Sequence, residues 1–161
     1  MTALHRAPVA FLCLGLSVGL SPAGRALAVG TDTKAEVRAS VDLAEARRHN
    51  RAGEHAAALA KLQAAALSWP DNADIENERG FALRKLGRLD EAMVHYDHAL
   101  RLDPDHRGAH EYLGELHLQR GDVTLARALL SGLDRLCPAG CEERDELDAA
   151  IRAHEAASPA R

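Results

Sequence analysis

The sequence predicts an all-α fold, a solenoid of three stacked helix pairs closed by one terminal helix. Three observations lead there. First, Gly53, Gly87 and Gly121 lie 34 residues apart, and Pro70, Pro104 and Pro138 keep the same step, as do Ala58, Ala92 and Ala126. A fixed period of roughly 20–50 residues marks an array of stacked units. Second, each unit divides at its glycine into halves whose apolar residues recur at three-to-four spacing, the pattern of an amphipathic helix. Third, aromatics make up only 3% of the chain while Ala and Leu abound, and runs of alternating β-branched residues are few, so no strand is expected.

Residues 1–28 stand apart from this scheme. Arg6 supplies positive charge, Ala7 to Leu20 is apolar and uncharged, and Ala26-Leu27-Ala28 is a small-x-small site after Pro22 and Gly24. Together these predict a secretory signal peptide cleaved after Ala28, and hence a periplasmic or secreted protein. The apolar stretch is short for a membrane span, which needs about 20 residues. Removing Arg6 and Arg25 leaves 18 basic against 24 acidic residues, a formal charge of −6, which disfavours nucleic acid as a partner. Residues 29–38 form a lead-in expected to fray from Val29 to about Asp32.

The units then follow without insertion as 39–72, 73–106 and 107–140. In the second, Ile75, Ala82, Leu83 and Leu86 form one helical stripe, and Leu89, Ala92, Met93, Tyr96, Ala99 and Leu100 form the next. Gly87 lies between them, where the chain must turn through a left-handed conformation that glycine adopts cheaply. Pro104 stops the second helix by restricting Asp103 before it. Gly80 and Ala92 are small enough for close helix approach, with Tyr96 filling space between neighbours. Residues 141–157 carry Leu147, Ala150, Ile151 and His154 at helical spacing, with Glu142, Glu143 and Asp145 at the positive end of the dipole. This is a capping helix with a polar outer face, which repeat arrays require. A disordered tail is expected over 158–161.

The unit resembles the tetratricopeptide repeat. That pattern has a small residue at position 8 (here Ala46, Gly80, Gly114), Ala at 20 (Ala58, Ala92, Ala126), an aromatic or large residue at 24 (Leu62, Tyr96, Leu130), Ala at 27 (Ala65, Ala99, with Leu133 in the third unit) and Pro at 32. The second unit matches best. Position 4 is Asp42, Glu76 or His110 and never Trp. The resemblance covers 39–140 and implies a right-handed α-solenoid whose first helices line a concave groove for a protein or peptide segment.

Positions 2, 5, 9, 12 and 13 share one side of each first helix. They place Leu43, Arg47, Asn50 and Arg51, then Asn77, Phe81, Arg84 and Lys85, then Glu111 and Glu115 in the expected groove. The arginines and Lys85 should meet an acidic part of the ligand, Glu111 and Glu115 a basic part, and Phe81 an apolar side chain. Arg84 and Lys85 are expected to point to solvent. The family's clamp for chaperone C-termini is absent, because Leu43, Glu78, Gly108 and Tyr112 replace residues it uses.

Cys137 and Cys141 flank a Pro-Ala-Gly turn. With Cys13 removed in the expected signal these two remain, and an even count in an exported chain favours a structural disulfide holding the cap. The same pair also suits a redox or Cu(I)-carrying dithiol. His106, His110 and His117 share a stripe that could hold a metal, or simply pack, as stripes at helical spacing usually do. No nucleophile elbow, phosphate loop, zinc-protease motif or paired-carboxylate set occurs, so no catalytic, cofactor or metal residues are assigned. Two readings result. One is a non-enzymatic scaffold, open to self-association. The other is an envelope assembly factor acting through Cys137 and Cys141, for example in cytochrome maturation.

Overall fold

A computed structural model describes residues 29–157, and side chains from 34 onward. The expected signal and the expected disordered tail lie outside these residues. The described residues form seven helices and no strand. In order they are α1 (Val29–Arg51), α2 (His55–Ser68), α3 (Ala73–Lys85), α4 (Leu89–Leu102), α5 (Arg107–Gln119), α6 (Val123–Leu136) and α7 (Glu142–Ala157).

The three turns within pairs are built alike. Gly53, Gly87 and Gly121 have φ of 78°, 77° and 81°, the left-handed region where a side chain would be strained. The following N–H groups reach back across the turn, Glu54 to His49 O at 2.9 Å, Arg88 to Leu83 O at 2.9 Å and Asp122 to His117 O at 2.8 Å. These bonds satisfy carbonyls that the helix end would otherwise leave unpaired. Three helices, α3, α5 and α6, start from side-chain caps. Asn72 accepts from Ile75 N, Asp122 from Leu125 N, and His106 accepts through Nδ1 from Ala109 N.

Three core clusters repeat along the axis, and each spans three consecutive helices. Tyr96, wholly buried, is the largest residue of the middle one. A Cβ on Gly80 would stand 2.6 Å from its ring, so the empty position 8 is the seat of the aromatic at position 24. At the third unit the seat is taken differently. A Cβ on Gly114 would stand 2.6 Å from Leu147 of α7, so α7, which packs on α5 and α6, supplies at the third unit the side chain that Tyr96 supplies at Gly80. Position 4 of the second unit, Glu76, is buried in an ion network. It accepts from Arg79 at 3.0 Å and His95 at 2.6 Å. Burial raises its proton affinity, but the hydrogen bond from His95 and the charge of Arg79 outweigh that and hold the carboxyl at about 2.

One expectation fails. The lead-in is helical, because α1 starts at Val29, ten residues before the first unit. No Pro or Gly between Thr31 and Arg51 interrupts it. Its overhang leaves Val37 and Val41 more than half exposed. Among the described residues no helix is long and apolar enough to cross a membrane.

Candidate functional site

The first helices α1, α3 and α5 lie side by side and form one face, with α7 packed against α5 at its end. A line of rings crosses this face. His55 and Phe81 centroids are 5.9 Å apart, Phe81 and Tyr112 5.0 Å, and Tyr112 and Tyr96 6.3 Å. Phe81 and Tyr112 are half-buried, so each keeps part of its ring toward solvent.

The charges of the face are arranged differently from the sequence expectation. Arg84 does not point to solvent. Its side chain is 2% exposed, lies 2.5 Å from Glu115 as a close ion pair, and approaches the Tyr96 hydroxyl at 3.4 Å through Nε. Its guanidinium also stands 5.6 Å from the Phe81 centroid and 5.7 Å from that of Tyr112. Arg47 is held by Asp74 and Glu78, each at 3.0 Å. Asn50 is buried and donates to the same Glu78 at 2.7 Å. Leu43 is core. Both arginines and Glu115 therefore spend their charge on a neighbouring first helix instead of a ligand. Arg51 and Lys85 are exposed, and the Lys85 ammonium rests 5.2 Å from the Phe81 centroid.

A sequence signal for these pairs existed. Arg47–Glu78 and Arg84–Glu115 are both 31 residues apart, one period less three, which is the offset between facing residues of adjacent first helices. An Arg and a Glu at that offset predict an ion pair inside the array.

Glu111 is the other departure. It is 3% exposed and has no cation within ion-pair distance. Burial first, then the hydrogen bond and charge of Glu146 and the charges of Glu115 and Glu143, push its carboxyl up to about 9. Burial first, then the charges of Glu111, Glu78, Glu146 and Glu115, raise the Tyr112 hydroxyl. Asn77 is also buried, and its Oδ1 accepts no hydrogen bond.

Two open cavities flank the face. One, of about 330 Å³, lies between the ends of α3 and α5 and the side of α7, lined by Lys85, Glu115, Leu118, Ala150 and His154 among others. The other, of about 310 Å³, lies at the starts of α3, α5 and α7 and includes Asp74, Gly108 and Glu143. The α7 residues were missed as site residues. The 3–4 stripe of that helix was visible, but not that its edge turns toward the first helices.

Cys137 caps α6, and the turn that follows brings its sulfur within bonding distance of Cys141, with Cα atoms 5.8 Å apart. That separation suits a disulfide. The histidine stripe disperses. His106 caps α5 and lies 3.2 Å from Asp74, His110 donates from Nε2 to Pro104 O at 2.8 Å, and burial lowers the proton affinity of His117. Among the described residues no three His, Cys, Asp or Glu side chains are grouped to hold a metal ion.

Family models described as tetratricopeptide repeat match residues 73–106 and 95–140, the first with the bounds of the second unit. This is a tetratricopeptide-repeat protein. The chain is 35% identical over 98 residues, 60% of its length, to the TPR repeat-containing thioredoxin TTL4 of Arabidopsis thaliana. It is 38% identical over 77 residues, 48% of its length, to the inactive TPR repeat-containing thioredoxin TTL3 of the same plant. It spans only 14% and 11% of those two relatives. Among solved structures, the first TPR of Spaghetti (RPAP3) bound to the HSP90 peptide SRMEEVD superposes with a TM-score of 0.64 at 18% identity. That likeness covers 73% of this chain and 94% of the other. The Yersinia enterocolitica type III secretion translocator chaperone SycD superposes at 0.66 and 17% identity, over 77% of this chain and 96% of the other. At such identities these two show that the tetratricopeptide-repeat fold is shared.

Proposed function

We propose that this tetratricopeptide-repeat chain is a non-enzymatic scaffold of the periplasm or extracellular space that holds a protein segment against its α1–α3–α5 face. The observation that carries the reading is the pair of half-exposed rings, Phe81 and Tyr112, on a face otherwise built of polar side chains. An apolar ring set among polar groups is the usual anchor of a docking site. One structural neighbour holds a peptide and another is a chaperone, which agrees with that use of the fold. The export signal of residues 1–28 supports the location.

Crosslinking and pull-down with the exported chain test this. A partner captured on this face dissociates faster from Phe81→Ala, by tenfold or more if the ring is a hot spot of about 2 kcal/mol. Lys85→Glu alters the association rate and its salt dependence, since Lys85 is exposed and screening acts over about 8 Å at physiological salt. Binding that survives both changes would move the site to another surface.

The cysteines serve this scaffold as a staple of α7. The exported protein then contains no free thiol, and Cys137→Ser with Cys141→Ser loosens residues 141–157 in hydrogen exchange without affecting α1 to α4. Free thiols in the native protein, or stoichiometric copper, would instead favour the assembly-factor role.

A further inference from the structure

The start of α5 gathers carboxyls that no cation of the chain neutralises, beside one amide oxygen that accepts nothing. Glu111 is buried without a cation, beside Glu146 and Glu143 of α7. Glu146 is exposed and forms no ion pair, and Glu143 has only Arg107 at 3.7 Å. Asn77, at the matching position of α3, adds a buried amide oxygen that accepts nothing. The Asn77 amide lies against Gly108, where a Cβ would stand 3.4 Å from its nitrogen, and Glu111 is one turn further along the same face of α5. Glu143 lines the open cavity at this end beside Gly108, and Glu146 is exposed, so the α7 side of the cluster meets solvent.

We propose that Glu111, Glu143, Glu146 and Asn77 form a socket for one cationic side chain, Lys or Arg, of the protein segment held on this face. This rests on the scaffold reading and names the chemistry of its partner. The buried Asn77 oxygen without a donor and the crowding of like carboxyls both carry a cost that an arriving ammonium or guanidinium removes. The chain's own cations do not fill the socket. Arg47 is engaged by Asp74 and Glu78, Arg84 by Glu115, and Arg107 is more than half exposed beyond Glu143. Half of the socket comes from α7, so the cap contributes recognition as well as an end to the array. Because Glu111 is protonated when the socket is empty, seating a cation ionises it and releases a proton. Binding of the cation therefore strengthens as pH rises toward 9.

N-acetyl-arginine amide, titrated into isotope-labelled protein beside N-acetyl-norleucine amide at equal ionic strength, tests the socket. The arginine probe should give saturable shifts at the Asn77 side-chain amide, Gly108 and Glu143, while the norleucine probe gives none. The Glu111 carboxyl should titrate lower with the arginine probe bound, by about one pH unit for each tenfold by which the probe prefers the ionised form. Other groups acting on Glu111 are Glu115 on α5 and Glu143 and Glu146 on α7, and Glu111 in turn acts on Tyr112. Glu111→Gln leaves the nearby His106 in place. That variant should keep its helix content, lose the pH dependence, and bind the arginine probe more weakly than the wild type. Equal shifts from both probes, no shifts from either, or an unaltered response of Glu111→Gln would overturn the socket. If the socket fails while a captured partner still depends on Phe81, the scaffold reading stands. If the arginine probe binds while partner capture ignores Phe81 and Glu111, the socket stands and the scaffold reading loses this face.

Discussion

Arg84→Glu lowers the stability of the chain by about 3–5 kcal/mol, a substantial part of the roughly 5–15 kcal/mol that holds a typical domain together. Arg84 is 2% exposed on its side chain, and its only close counter-charge is Glu115. Reversal leaves two carboxylates facing each other between α3 and α5, and it removes a cation packed against two rings. For a chain of this size the melting temperature should fall by roughly 6–20 °C. Lys85→Glu, one residue on, should change stability by no more than about 0.5 kcal/mol, because Lys85 is exposed and unpaired by any carboxylate. The contrast between adjacent cations is the informative part. If Arg84→Glu melts like the wild type, α3 is rotated relative to its placement here.

Tyr96→Ala costs about 3–5 kcal/mol by leaving a cavity in the middle core cluster. Tyr96 is wholly buried, and the Gly80 backbone is shaped to its ring, so neighbours cannot close the space without moving α3 against α4. Tyr96→Phe keeps the ring and loses only the hydroxyl that Arg84 approaches at 3.4 Å, so it should cost about 1 kcal/mol. Thermal unfolding of the two variants separates ring packing from the polar contact. Equal losses would show that the hydroxyl, and not the ring, matters at this position.

The fold was legible because its determinants are local and repeated. Gly87 alone suggests a turn. Gly53, Gly87 and Gly121 in one register fix three turns, and the prolines fix the helix ends between them. The same register marked Gly80 and Ala92 as positions of close approach and Tyr96 as a space-filler, and the structure seats Tyr96 against Gly80. The face was less legible, because its electrostatics depend on which side chains meet across neighbouring helices. Read along one helix, Arg47, Arg84 and Lys85 look alike. Across the array, two of them are neutralised by residues 31 positions away and one is free. Glu111 resisted for a similar reason. Its burial and its company of acids come from α7, which lies outside the period. The helical overhang of α1 escaped the period argument too, since nothing in a 34-residue repeat speaks for the residues before it.

The seating of Leu147 against Gly114 has a consequence for how the molecule can grow and fold. α7 takes the place against α5 and α6 where the first helix of a following repeat would lie, so a further unit cannot stack directly on the third pair. At the other end the sides of α1 and α2 turned away from α3 are covered by nothing among the described residues. Any end-to-end extension is therefore one-directional. The neighbour pattern has a kinetic side as well. Each helix touches only the next one or the next but one. Loop closure over such short separations costs little entropy, so ordering can begin within any pair and spread stepwise. Melting should run the opposite way, starting at the open α1–α2 end and reaching the α5–α7 end last.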